Sequence, residues 1–376
     1  MKILFLAPLP PPINGQSLAS KILYDFLKDD HQVILINLKR RKNKGILNEI
    51  KRFKEIIFLS FKVYKYSRKS DLIYFTISES TKGNLKDILF FILMWPALSK
   101  TILHLHGGAG MKKILNKKNT IFFSINYYFL KKINKVIVLS ESLKSIYKDI
   151  LPEKNLAIVE NFSEDLFFSN LDSIEKKFTN NDKLKCLFLS NLLPGKGINE
   201  LLDAYKLLDS DLQSNIILNI AGATEDKKIT EKILEMEYLF PNFKYHNVVQ
   251  GLTKKNLLEE THLFILPTYY EYEGQPISIL EAYASGSAVA TTNHSGIPDI
   301  FTGGENGYLI IGKSHESILQ LFHLAYNDLH NGSLIRYAFY NYNIASRKYR
   351  MKDYVNRFFN LFKMYDFSPE NRRVLK

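Results

Sequence analysis

The sequence predicts an α/β protein made of two doubly wound, parallel-sheet domains of the Rossmann type, and three observations lead there. Short apolar runs rich in β-branched residues alternate with amphipathic helical stretches from end to end, as expected when crossover helices bury parallel strands on both faces. The 376 residues exceed what a single core usually supports. A polar stretch of poor periodicity, residues 172–185 (DSIEKKFTNNDKLK), divides the alternation into two series.

In the first series, strands are expected at 2–7, 32–37, 72–76, 101–105 and 136–140, with helices such as 17–28 and 119–132 between them. The second series places strands at 186–189, 216–221, 244–248, 263–266 and 289–291. Residues 351–365 carry a helical apolar stripe at 351, 354, 355, 358, 359, 362 and 365. The expected organisation is therefore a domain over 1–171, a linker over 172–185, a domain over 186–345, and a helix within 346–376 that packs back on the first domain. Two such domains facing each other create a cleft at the carboxyl ends of both sheets, where ligands are expected to bind.

Composition narrows the class. Hydrophobic residues make up 46% of the chain and charged residues 24%, which excludes a disordered or collagen-like protein. One cysteine, Cys186, can form neither an intramolecular disulfide nor a cysteine-based zinc site. The longest apolar run, residues 88–98, has 11 residues and contains Pro96, short of the roughly 20 that span a bilayer. The opening MKILFLAPLPPP reads as a buried first strand and not as a secretory signal. The net charge of +13 is uneven: residues 1–135 hold 25 Lys/Arg against 8 Asp/Glu, and residues 136–376 hold 26 against 30. Residues 39–69 alone hold 12 basic and 2 acidic residues, with Phe53, Phe58, Phe61, Tyr64 and Tyr66 among them. Arg40, Arg41, Lys51 and Arg52 mark this face as a candidate surface for an anionic membrane. No recognised nucleic-acid motif accompanies it. The expected location is cytoplasmic, peripheral at the inner face of the plasma membrane.

Four loops carry the candidate chemistry. The first strand ends in APLPPPINGQS (7–17), where Gly15 and Gln16 stand before a helix; one glycine in place of three makes this a poor dinucleotide turn. The fourth strand leads into HLHGGAG (104–110), with His104 and His106 on one side and His106 beside a glycine loop. SNLLPGKG (190–197) puts Lys196 between glycines before a helix, a setting suited to phosphate, without the Walker pattern. The densest constellation is LPTYYEYEGQPISILEAYASG (266–286). Glu273 lies in its loop and Glu281 on the following helix. The helix N-terminus at Gln275, Pro276, Ile277 and Ser278 offers unpaired amides to a diphosphate. Asp209-Ser-Asp211 matches the DxD of metal-dependent transferases only superficially, since it falls in a polar connection. No metal site is expected.

With these motifs in place, the chain resembles the retaining glycosyltransferases of family 4, of GT-B architecture, and among them the bacterial enzymes of surface-polysaccharide and O-antigen assembly. Further support comes from VIVLSES (136–142), IVENF (158–162), LNIAG (218–222) and SGIPDIFTGGENGYLI (295–310). The resemblance implies catalytic roles for His106 and Glu273. It implies donor contacts from Gly15, Gln16, Asn191, Lys196, Gly274, Gln275, Pro276, Ile277, Ser278 and Glu281. Asn191 stands where the family usually has an arginine, which leaves diphosphate neutralisation to Lys196 and the helix amides. The implied reaction moves a hexosyl unit from a nucleotide sugar, UDP-linked by expectation, without a metal or other cofactor. The implied acceptor is a glycan on undecaprenyl diphosphate. Two other readings stay open: an isomerase of the same architecture, such as a UDP-sugar 2-epimerase, and a non-catalytic basic protein that binds lipid or nucleic acid.

Overall fold

A computed structural model describes residues 1–39, 46–179 and 182–363. The chain divides into two compact units: residues 1–160 together with 355–376, and residues 161–354.

The first unit contains strands β1 (Lys2–Ala7), β2 (Gln32–Asn37), β3 (Leu72–Thr76), β4 (Thr101–His104), β5 (Lys135–Val138) and β6 (Leu156–Ile158). They form one parallel sheet in the order β2-β1-β3-β4-β5-β6. The central strands β3, β4 and β5 are buried along their whole length, which explains their continuous apolar sequence. The apolar run at 88–98 lies in the helix Thr81–Leu93 and the turn Trp95–Lys100. Its Phe90, Phe91, Met94 and Leu98 are core residues. Among the described residues, no helix is long and apolar enough to cross a membrane.

The second unit contains β7 (Leu184–Leu189), β8 (Ile216–Ala221), β9 (Phe243–Tyr245), β10 (Leu263–Leu266), β11 (Ala288–Thr292) and β12 (Gly307–Ile310). Their order is β12-β11-β10-β7-β8-β9, again all parallel. The winding reverses direction between β7 and β10. In an open parallel sheet, the loops that leave two strands at such a point diverge and open a crevice at their carboxyl ends.

Two expected boundaries differ from the structure. Residues 172–185 are no linker: most of them form the helix Leu171–Thr179 and the start of β7. Ile174 is fully buried, and Lys177 lies inside with its ammonium donating to the Ser285 carbonyl at 3.0 Å. Few apolar residues among many charged ones anchor this helix, which is why its sequence reads as a connection. The chain passes from the first unit to the second between Glu160 and Asn161. The last helix, Met351–Lys363, begins at 351, and from Val355 onward it belongs to the first unit. There the ring of Phe358 lies 6.1 Å from Tyr74 and 5.6 Å from His104.

His262, fully buried beside β10, shows how tightly the second core is specified. Its Nδ1 accepts the Lys185 N–H at 3.1 Å, and its Nε2 faces the Lys177 carbonyl at 2.7 Å. The neutral, Nε2-protonated ring satisfies both. Burial pushes its pKa down to about 3, whereas the unfolded chain protonates near 6.5. Stability from this group is therefore complete above about pH 6.5 and is lost as the pH falls from there toward 3. A His262→Gln variant, which keeps one donor and one acceptor, should lose about 2 kcal/mol less than wild type between pH 6.5 and 5 in urea unfolding. Equal losses in the two proteins would contradict this assignment.

Candidate active site

The crevice of the second sheet gathers the strongest sequence motifs. The loop after β7 turns through Pro194–Lys196 and enters the helix Ile198–Lys206 at Gly197, whose φ is +77°. A Cβ at Gly197 would lie 2.3 Å from the Pro267 carbonyl oxygen, so only glycine lets the loop after β7 press against the loop after β10. Tyr269 N–H donates to Gly195 O at 2.8 Å and joins the two loops. Lys196 and Glu273, 77 residues apart, thereby become partners.

Their ion pair is short and largely enclosed. Lys196 Nζ stands 2.5 Å from Glu273 Oε2, with the two side chains 12% and 8% exposed. The same oxygen accepts the Thr268 hydroxyl at 2.9 Å, and the ammonium lies 5.1 Å from the centre of the Tyr270 ring. The Glu273 backbone is also held, because its carbonyl accepts the Ser295 hydroxyl at 2.6 Å. His294 Nε2 meets the Tyr270 carbonyl at 2.8 Å, and Gly296 N–H donates to Gly274 O at 3.2 Å. Loops from three neighbouring strands thus fix one carboxylate.

The helix Ile277–Ala284 starts directly behind it, capped at its N-terminus by Pro276 without a side-chain hydrogen bond. The first-turn amides of Ile277 and Ser278 have no acceptor inside the helix, and their end of the helix carries partial positive charge. Further along, Glu281 is buried and paired with Lys254 Nζ at 2.6 Å. Burial raises the Glu281 pKa, and Lys254 opposes that rise. Lys254 stands over the Phe167 ring at 4.6 Å. Two Lys–Glu pairs accordingly flank one helix N-terminus, an arrangement that can hold a diphosphate between hydroxyl-bearing groups.

Gln275 does not offer its side-chain oxygen to a ligand. That oxygen accepts the Asn161 N–H at 2.6 Å, and Asn161 Nδ2 donates to the Gln275 carbonyl at 2.7 Å, so Gln275 ties the loop to the first residue of the unit. Gly274 and Pro276 are buried, whereas Asn191 is exposed at the start of its loop. Asp209 caps the helix Ser210–Ser214 by accepting the Leu212 N–H at 2.9 Å. Among the described residues, no group of three His, Cys, Asp or Glu side chains could hold a metal ion.

The remaining candidates lie in the first unit. Gly15 begins the helix Gly15–Asp30, capped by Asn14 in a reciprocal capping box with Ser17; Gly15 is exposed and Gln16 half-buried. His106, just past β4, stacks its ring 3.9 Å from His104. Burial lowers both pKa values, that of His106 to about 3, so both rings are neutral near pH 7. Tyr74 OH meets His104 Nδ1 at 2.6 Å, while both Nε2 atoms are buried without a hydrogen-bond partner among the described residues. Glu79, which the sequence motifs do not single out, accepts the Gly110 N–H at 3.1 Å and holds the glycine loop after His106. Burial pushes its pKa up to about 7. Lys51 and Arg52 are exposed on the helix Ile46–Ser67. Arg40 and Arg41 lie outside the described residues.

Comparison with known proteins agrees with this geometry. Residues 170–338, nearly all of the second unit, match the family model of the glycosyl transferases group 1. The uncharacterised glycosyltransferase MJ1069 of Methanocaldococcus jannaschii is 26% identical over 234 residues, 58% of this chain and 57% of its own. The capsular polysaccharide biosynthesis glycosyltransferase CapM of Staphylococcus aureus is 28% identical over 206 residues, 51% of this chain and 52% of its own. The chain thus spans about half the length of these curated relatives. Among solved structures, Anabaena Alr3699/HepE in complex with UDP superposes with a TM-score of 0.71 at 16% identity, covering 97% of this chain and 100% of that one. The chain has the two-domain α/β GT-B fold, and over residues 170–338 it is similar to the glycosyl transferases of group 1.

Proposed function

We propose that the protein is a retaining glycosyltransferase that moves a hexosyl unit from a UDP-sugar to a lipid-linked glycan acceptor in surface-polysaccharide assembly. The observation that carries this reading is the Lys196–Glu273 pair beside the N-terminus of the Ile277–Ala284 helix. A lysine has three N–H donors, so Lys196 can keep Glu273 and still bind a phosphate. Glu273 is left to accept hydroxyls of the donor sugar, and Glu281 those of the ribose. UDP as the nucleotide is supported by the UDP complex of HepE, and polysaccharide assembly by the similarity to CapM, a capsular polysaccharide biosynthesis glycosyltransferase.

In the proposed reaction, the bond from the anomeric carbon to the diphosphate breaks as the acceptor oxygen bonds to that carbon on the same face. The acceptor proton passes to a phosphate oxygen of the departing nucleoside diphosphate. Negative charge develops on the leaving group, which on this reading lies against Lys196 and the helix amides, and such preorganised donors are commonly worth about two to three orders of magnitude in rate. Neutral His106 can donate or accept a hydrogen bond at the sugar without adding charge. No cofactor is required.

The acceptor side carries the membrane reading. The helix Ile46–Ser67 exposes Phe53, Phe58 and Phe61 beside Lys51, Arg52 and Lys62, a combination that suits the interface of an anionic bilayer.

Four outcomes are expected. With a panel of UDP- and GDP-sugars and an acceptor extract, the protein should release UDP in the presence of EDTA, and proton NMR should find the donor's anomeric configuration kept. Glu273→Ala and Lys196→Ala should each lower turnover by roughly a hundredfold or more; EDTA sensitivity, an inverted product or an undisturbed Lys196→Ala enzyme would sink the mechanism. Lys196→Met should destabilise the protein by about 3–5 kcal/mol by stranding a buried carboxylate, and Lys196→Met with Glu273→Gln should recover most of that in denaturant unfolding. Lys51→Glu with Arg52→Glu should weaken co-sedimentation with phosphatidylglycerol vesicles by roughly tenfold at low salt. Unchanged sedimentation would show that this helix does not face the membrane.

A further inference from the structure

A groove in the first unit has the chemistry of an amphiphile site. It lies between the helices Ala109–Asn116 and Ile121–Leu130 and the short turn Ser145–Tyr147, and it encloses about 350 Å³, within the range of pockets that hold small molecules. Its walls are amphipathic: Leu115, Phe123, Tyr127, Ile146 and Ile150 supply an apolar half beside the polar Asn116 and Ser145. Phe123 and Tyr127 stack at 5.5 Å, one helical turn apart. Lys112 and Lys118 stand at its mouth, and Asp149, the acid of the lining, lies 3.7 Å from Lys118. The lining thus carries two lysines against one aspartate, and residues 101–135 add five more lysines and no Asp or Glu, so the net field favours an anion.

Position adds a second constraint. The helix Ala109–Asn116 starts three residues after His106, and Lys112 is one turn into it, about 5 Å along the axis. An anion at Lys112 and Lys118 is therefore displaced from the His106 loop by a short spacer. On its other side, the Ile121–Leu130 helix leads to an exposed aromatic pair: Tyr128 stacks on Trp95 at 5.1 Å, and Lys132 lies over both rings at 4.9 and 5.0 Å. An amphipathic aromatic pair with a lysine is of the kind found at lipid–water interfaces.

We propose that this groove binds the lipid diphosphate end of the acceptor, with the first apolar segment of the chain against Phe123 and Tyr127 and the phosphates at Lys112 and Lys118. The proposal rests on the reading of the acceptor as lipid-linked and names the surface that would recognise it. A free phosphate would need the lysines without the apolar wall, and a flat bilayer would need the apolar rim without a concave groove.

The probe is farnesyl diphosphate, added to the full chain without a donor and followed by calorimetry and by fluorescence of Trp95, the single tryptophan. It should bind roughly tenfold or more tightly than either pyrophosphate or farnesol, because each of those engages one half of the groove. Lys112→Glu with Lys118→Glu, both exposed positions, should weaken farnesyl diphosphate by a similar factor while leaving UDP affinity unchanged. Tyr127→Ala should weaken farnesyl diphosphate and leave pyrophosphate unaffected. Equal binding of pyrophosphate and farnesyl diphosphate would reduce the groove to a phosphate site. Full competition by phosphatidylglycerol vesicles would reassign the lysines to a membrane surface. Either result overturns the proposal. Loss of UDP binding with farnesyl diphosphate still bound would instead fault the donor reading and leave the groove standing.

Discussion

The contact between Lys196 and Glu273 organises the second unit. An ammonium and a carboxylate that are both withdrawn from water lose hydration, and their attraction makes up for this only where geometry is good and further hydrogen bonds complete the shell. Here the shell is complete enough to see how it was built. Thr268 binds the same carboxylate oxygen, Tyr270 lies against the ammonium, and Ser295 holds the Glu273 backbone. The pair can exist at all because Gly197 lets one loop touch the Pro267 carbonyl. It sits where it does because the strand order reverses between β7 and β10. Topology opens the crevice, a left-handed glycine closes the approach, and the charges follow.

The first unit solves a different problem with neutral groups. Its sheet ends in two stacked histidines that burial keeps uncharged, beside a glycine loop held by Glu79. Most of its lysines lie outside, on exposed helix faces, while the buried Asp87 is paired with Lys86. A neutral interior edge and a cationic exterior are compatible with chemistry on a sugar in one place and attraction of an anionic lipid in another. The second unit shows the converse at its crevice, where Lys196 and Lys254 are turned inward and each is matched to a carboxylate. The uneven charge of the sequence is the outward sign of this division.

Much of the fold was legible because parallel strands buried on both faces must be apolar throughout, and such runs are visible in a bare sequence. The site was legible where local chemistry sufficed: Lys196 between glycines, Glu273 and Glu281 around a helix start. What escaped depends on partners far along the chain. Lys254, in an unremarkable TKKN segment, becomes important only because folding brings it 2.6 Å from Glu281. Gln275 looked like a ligand group but serves Asn161, 114 residues away. Glu79 has no motif and is noticed only through its grip on Gly110. The helix at 171–179 was hidden because Ile174 and Phe178, one helical turn apart, are its main apolar residues among polar and charged neighbours. Asp209 resembled half of a metal motif and proved to be a helix cap.

A crystal structure of the protein with UDP bound would test the central claim most directly, through the position of one nitrogen atom. The diphosphate is expected at the N-terminus of the Ile277–Ala284 helix, with Lys196 Nζ within hydrogen-bond distance of a phosphate oxygen and Glu281 at the ribose. A nucleotide bound elsewhere, with Lys196 in contact only with Glu273 as in the free protein, would contradict it.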